Sequence, residues 1–187
     1  MPSSVWSLAL AAGIAYLLGG LSPGHWLVHR RTGRDLREHG SGATGATNAS
    51  RVLGKRGFAI VLFLDAAKGA GAGVIAGALG IGNGWEFAVA TAVIAGHVWP
   101  PQLAFRGGRG LGPLFGSWLL MAPFALGGAM VVAAVVWAAT GRRILGGMIG
   151  AAVLPATTYF ETGALVAAAF AVLTFAIVAM AHRTSRR

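Results

Sequence analysis

The chain has 187 residues, of which 56% are hydrophobic and only 11% charged, with a formal net charge of +10 and no cysteine. This is the profile of an integral membrane protein: one all-α, membrane-embedded domain over residues 1–187 needs no soluble partner domain, because apolar stretches of roughly 20 residues each cross a hydrocarbon core about 30 Å thick. A disulfide, a thiolate nucleophile and a zinc–cysteine site are excluded, and basic residues confined to short loops between apolar spans point to anionic headgroups or an anionic substrate rather than nucleic acid.

Residues 5–21 form the first apolar span. No Lys or Arg precedes it, so the positive n-region of a secretory signal is missing and a retained helix is expected. The loop that follows carries Arg30, Arg31, Arg34, Arg37, Arg51, Lys55 and Arg56 against only Asp35 and Glu38. A second apolar stretch, residues 57–81, contains Asp65 and Lys68 and ends at the turn-forming Gly82-Asn83-Gly84. The third, residues 85–105, contains His97 and is broken near its end by Pro100 and Pro101.

Residues 111–140 are apolar for longer than one comfortable crossing, and Pro123 divides them into a short helix and a full one. Arg142 and Arg143 follow, then a span to about Thr158, a turn over residues 159–162, a last span to about Ala181 and a basic tail. The division gives seven transmembrane helices. With the N-terminus outside and the C-terminus cytoplasmic, fourteen of the fifteen Lys and Arg residues fall in inside loops, and the remaining one, Lys68, lies in a helix.

Three stretches carry chemistry. Residues 40–51, Gly-Ser-Gly-Ala-Thr-Gly-Ala-Thr-Asn-Ala-Ser-Arg, combine glycines that turn tightly and aim N–H groups at an anion with hydroxyl and amide donors and a guanidinium fork. The same run satisfies G-x-G-x-x-G, but no strand precedes it and no spaced acid follows, so a dinucleotide site is rejected. The Asn48-Ala-Ser50 sequon is discounted because its loop is assigned to the cytoplasm, and a flexible glycine loop is the plain alternative for the whole run.

Asp65 and Lys68, three apart, share one helix face. Charges at that depth must face each other, a polar partner or a hydrated cavity, as an internal structural pair or in direct contact with substrate. His97 sits where polarity is costly, as general base, hydrogen-bond donor or satisfied core histidine. Gly107-Gly108-Arg109-Gly110 precedes a helix with Pro113 in its first turn, a second candidate phosphate cradle, against the plain alternative of a glycine turn between helices.

G-S-G-x-x-G-A-T-N-x-x-R at 40–51, D-x-x-K-G at 65–69 and G-H-x-x-P…F-R-G-G-R-G between 96 and 110 resemble, in order and spacing, the PlsY-type bacterial glycerol-3-phosphate acyltransferases. The resemblance implies a multi-pass enzyme of the bacterial inner membrane whose site faces the cytoplasm. It would move an acyl chain from acyl phosphate to glycerol 3-phosphate, giving lysophosphatidic acid, with no cofactor or metal.

By position, Ser41 and His97 are implied as catalytic. Gly42, Thr47, Asn48, Arg51, Gly107, Gly108, Arg109 and Gly110 are implied around the phosphates, with Arg109 where the family usually has lysine. Asp65 and Lys68 remain an intramembrane polar pair. The implied partners are acyl phosphate, glycerol 3-phosphate and membrane lipids, and a monomer is expected.

The chain departs from the family at Ala43, where asparagine is usual; at Leu145 and Met148, where a serine-bearing segment is usual; and at Ser185, where asparagine is usual. These departures leave a binding relative without turnover, or an altered acceptor, as a second reading. A transporter is a third, suggested by Asp65 and Lys68 and opposed by the missing inverted repeat.

Overall fold

The computed structural model describes residues 4–184, and the departure at Ser185 lies outside them. Every regular element among the described residues is helical: α1 Val5–Gly20, α2 Pro23–Thr32, α3 Ala46–Ala78, α4 Glu86–Val98, α5 Leu111–Met121, α6 Pro123–Thr140, α7 Arg143–Thr162 and α8 Leu165–Thr184, with short 3-10 turns at Leu36–Glu38 and Pro101–Leu103. Five segments are long and apolar enough to cross a membrane: Val5–Thr32, Ala46–Ala78, Pro123–Thr140, Ile144–Thr162 and Leu165–Arg183.

Of the short helices, α4 lies inside the bundle and α5 packs one face against α3. At about 1.5 Å per residue α4 rises only about 20 Å, and it is hydrophobic all round because it is enclosed by α1, α3, α5 and α8. Large apolar side chains such as Trp6, Phe63, Phe124 and Phe160 point outward instead, as a lipid-facing surface permits.

Lipid offers no hydrophobic drive for one helix to leave it for another, so close backbone approach and interhelical hydrogen bonds hold the bundle. A Cβ on Gly69 of α3 or Gly116 of α5 would overlap the backbone of the other helix, and Gly19 and Gly96 serve α1 and α4 in the same way. Ser117 Oγ donates to Gly69 O at 2.9 Å, Trp118 Nε1 to Thr158 Oγ1 at 2.9 Å, and Tyr16 Oη to Trp99 O at 2.6 Å.

The break at Pro123 is where the sequence places it, between α5 and α6. Four boundaries differ. The basic loop contains α2, started by Pro23 at its first turn and stopped by left-handed Gly33 (φ 69°). Helix α3 begins at Ala46 and runs on through the basic segment, kinked at Gly54 (φ 68°, ψ −165°). Helix α4 stops at Val98, since the following prolines start a 3-10 turn.

The turn expected over residues 159–162 is the last turn of α7. It stays helical and brings Glu161 to the first turn of α6, where its carboxylate accepts Ala125 N–H at 2.6 Å and Phe124 N–H at 3.4 Å.

Candidate active site

The first glycine loop is built around one amide. Asn48, buried on the first turn of α3, donates through Nδ2 to Leu36 O (3.1 Å), His39 O (2.9 Å) and Ala43 O (2.9 Å). Its Oδ1 accepts Ser41 N–H at 3.1 Å and faces Arg51 Nη1 at 3.4 Å. The side chain expected at a phosphate is thus spent on the loop's own backbone. Asn48→Ala would strand several buried groups at once and is expected to cost about 2 to 3 kcal/mol, read from denaturant unfolding in mixed micelles.

Gly40 is left-handed (φ 56°), and the Arg51 guanidinium occupies the space its side chain would need. Just upstream, Arg37 is a clamp. Its Nε and Nη2 grip the Asp35 carboxylate, Nη2 at 2.6 Å, while Nη1 donates to Leu103 O at 2.8 Å across the site. Those side-chain hydrogen bonds hold the Asp35 carboxyl well below the usual carboxylate range, so the pair stays ionised at neutral pH.

The second glycine loop folds back on the end of α4. Gly107 N–H donates to Val98 O (3.0 Å) and Gly108 N–H to His97 O (2.9 Å), after two non-glycine residues, Ala104 and Phe105, in left-handed conformation (φ 52° and 59°). The two loops meet directly where Thr44 N–H donates to Gly107 O at 3.2 Å.

Between the loops lies a cavity of ≈ 610 Å³, walled by both loops, by Val98 and Trp99 after α4, and by Ala181 of α8. Its charged lining residues among those described are Arg106, Arg109 and the Asp35-paired Arg37, so its field attracts anions.

Of the residues singled out in the sequence, Ser41, Gly42, Gly107, Gly108 and Arg109 line the cavity. Gly110 caps α5 in left-handed conformation (φ 84°), and Arg51 borders the cavity through Gly40. Thr47 is exposed on α3 and Asn48 is internal to its loop.

The N–H groups of Ser41, Gly42, Gly107 and Gly108 bond within the protein, to Asn48 Oδ1, His39 O, Val98 O and His97 O, so these four donors hold the turns themselves. Ala43 lines the cavity, whereas Leu145 and Met148 do not, so only the first of these departures falls in its wall. Sequence reasoning missed Arg37 and Trp99 as wall residues. The Asp35-x-Arg37 spacing just ahead of the glycine run was the available signal for the former.

His97, Asp65 and Lys68 form one buried cluster behind the second loop. Lys68 Nζ donates to Leu21 O at 2.7 Å and lies 2.7 Å from His97 Nδ1 and 2.9 Å from Asp65 Oδ1. The His97 ring lies where a Gly108 side chain would be, so the glycine is what lets loop and ring approach. His182 follows cavity-lining Ala181, with its Nδ1 2.8 Å from Val178 O.

A family model described as glycerol-3-phosphate acyltransferase matches residues 9–187. The chain is similar to glycerol-3-phosphate acyltransferase 1 of Desulfitobacterium hafniense (strain Y51), 43% identical over 143 residues that span 75% of this chain and 71% of the relative. It is also similar to glycerol-3-phosphate acyltransferase 3 of Dehalococcoides mccartyi (strain ATCC BAA-2266 / KCTC 15142 / 195), 34% identical over 192 positions covering 94% and 89%.

Among solved structures it is similar to PlsY (YgiH), an integral membrane glycerol 3-phosphate acyltransferase. The glycerol 3-phosphate form gives a TM-score of 0.83 at 26% identity over 95% of this chain and 89% of that one. The lysophosphatidic acid form gives 0.82 at 25% identity over the same shares. Because the match runs across nearly the whole length and through both loops that build the cavity, the chain belongs to the glycerol-3-phosphate acyltransferase family and is a multi-pass membrane protein.

Proposed function

We propose that the protein transfers a fatty acyl group from acyl phosphate to glycerol 3-phosphate, releasing lysophosphatidic acid and inorganic phosphate at the cytoplasmic face of a bacterial inner membrane. The observation that carries this reading is the cavity: two glycine loops joined at Thr44 and Gly107, with Arg106 and Arg109 beside the Asp35-paired Arg37 and no acidic residue among the described lining residues. Two phosphorylated substrates bring several negative charges into one place, and a site that binds both needs that surplus of positive charge.

In the reaction the glycerol hydroxyl oxygen bonds to the acyl carbonyl carbon. The bond from that carbon to the phosphate oxygen breaks, and the departing phosphate keeps the electron pair. An acyl phosphate is a mixed anhydride with a good leaving group, so positioning and charge neutralisation suffice without an acyl-enzyme. Among the described lining residues none carries a carboxylate or imidazole, and the leaving phosphate itself takes the proton from the hydroxyl.

Arg106 and Arg109 neutralise the phosphoryl oxygens, Arg51 reaches in beside Gly40, and Ser41 orients the hydroxyl. No cofactor is required. In the bilayer, α1 and α3 to α8 make seven crossings with the N-terminus outside, and α2 lies at the cytoplasmic surface, where its Arg30 guanidinium stacks 4.2 Å over Trp26.

The test is phosphate release by purified protein given palmitoyl phosphate, with and without glycerol 3-phosphate. Acceptor-dependent release with a lysophospholipid product is expected, Arg51→Ala should abolish it in folded protein, and His97→Ala should lower it about 100-fold. Full activity in both variants would sink the site assignment. Ala43 in the cavity wall favours the second reading, a relative that binds phosphorylated lipid without turnover. That reading gains if folded protein binds palmitoyl phosphate saturably and releases nothing.

A further inference from the structure

His97 is the residue that the sequence offers most readily as an acid or base, yet it is 2% exposed and absent from the cavity lining. What it touches is informative. Its carbonyl receives Gly108 N–H, its ring fills the side-chain space of Gly108, and its Nδ1 lies 2.7 Å from Lys68 Nζ. Lys68 in turn donates to Leu21 O at the end of α1 and pairs with Asp65 at 2.9 Å.

An ammonium group has three protons, and here it faces a carbonyl, an imidazole nitrogen and a carboxylate, which is the set that suits its charged form. His97 Nδ1 also lies 3.5 Å from Asp65 Oδ1, but the shorter 2.7 Å contact with a charged Lys68 requires Nδ1 to accept, which puts the proton of the neutral ring on Nε2. A ring with Nδ1 committed to Lys68 and Nε2 protonated has no free lone pair with which to act as a base.

We infer that His97 is a positioning residue: Lys68, held by Asp65, clamps its ring so that the Gly107–Gly108 turn stands at a fixed distance from the first glycine loop. The effect on rate rests on the acyl-transfer reading above, but the geometry of the clamp does not. Three further links converge on the same region: Tyr16 Oη to Trp99 O at 2.6 Å, Gln102 Nε2 to Gly20 O, and Thr44 N–H to Gly107 O at 3.2 Å. The end of α1, the end of α4 and both loops are therefore one connected frame, and Lys68 lies where it crosses the bundle interior.

The test compares His97→Asn with His97→Leu. Asparagine places a carbonyl oxygen near the Nδ1 position and can accept from Lys68, but it has no titrating ring; leucine has neither. With rates expressed per folded protein, His97→Leu is expected to lose about 100-fold in kcat/KM, mainly through a raised KM for glycerol 3-phosphate, while His97→Asn stays within about tenfold of the parent.

Equal inactivation of both variants would overturn the inference and make the imidazole itself catalytic. Unchanged kcat/KM in His97→Leu, with only its stability lowered, would reduce the cluster to packing. Nitrogen-15 NMR of histidine-labelled protein, with the His97 signals assigned from the His97→Asn spectrum, reads the clamp without turnover. Unprotonated Nδ1 and protonated Nε2, losing that preference in Asp65→Asn/Lys68→Met, support it; protonated Nδ1 in the parent overturns it. A protein that shows the expected tautomer but no acyl transfer would refute the proposed activity and leave the clamp standing.

Discussion

Alanine at position 108 is expected to lower acyl transfer about 100-fold while the helix bundle remains folded. The added Cβ would overlap Nε2, Cε1 and Cδ2 of His97. The ring cannot move aside, because Nδ1 is held against Lys68 and the residue is enclosed in the bundle. The Gly107–Gly108 turn must therefore shift by roughly 1 Å, carrying Arg109 and the link to Thr44 with it, and a displacement of that size costs about 10²-fold when catalysis depends on positioning. Initial rates of acceptor-dependent phosphate release check it. Gly127→Ala is the control, since a Cβ there meets nothing within 4 Å and it should leave the rate unchanged. Equal rates in the two variants would mean that the turn does not set the geometry of transfer.

Methionine at position 68 is expected to produce the largest loss of stability, about 3 to 5 kcal/mol, because it leaves Asp65 ionised, buried and without its cation. Adding Asp65→Asn removes the stranded charge and should restore most of that loss. The double variant nevertheless stays impaired in transfer, since Leu21 O and His97 Nδ1 still lack their donor. Unfolding in mixed micelles measures the first effect and phosphate release the second. A single variant as stable as the parent would show that Asp65 has another route to neutralisation.

Much of the fold is legible in the chain because a bilayer imposes strong rules on sequence. Long apolar stretches, the break at Pro123 and the arginines between spans follow from hydrocarbon thickness, proline's missing N–H and the bias of basic loops. Helix α2 escaped because Arg30, Arg31 and its two histidines look like loop charge, although Ser22-Pro23 at one end and Gly33 at the other mark a helix start and stop. The reach of α7 to Thr162 escaped too, since Glu161 resembles a turn residue until the exposed N–H groups of α6 are seen opposite it.

The site divides along the same line. The sequence by itself determined that two glycine loops, an intramembrane Asp–Lys pair and a histidine belong to a multi-pass membrane protein with a surplus of positive charge, because residue type and spacing carry that information. Only the tertiary structure decided what each group does. The amides of Ser41, Gly42, Gly107 and Gly108 turn inward, Asn48 is consumed by its own loop, Arg37 is gripped by Asp35, and Lys68 reaches from the middle of α3 to the end of α1 and to His97. A hydrogen bond depends on where two groups meet in space, and partners 29 and 47 residues apart leave no local pattern by which the sequence could announce them.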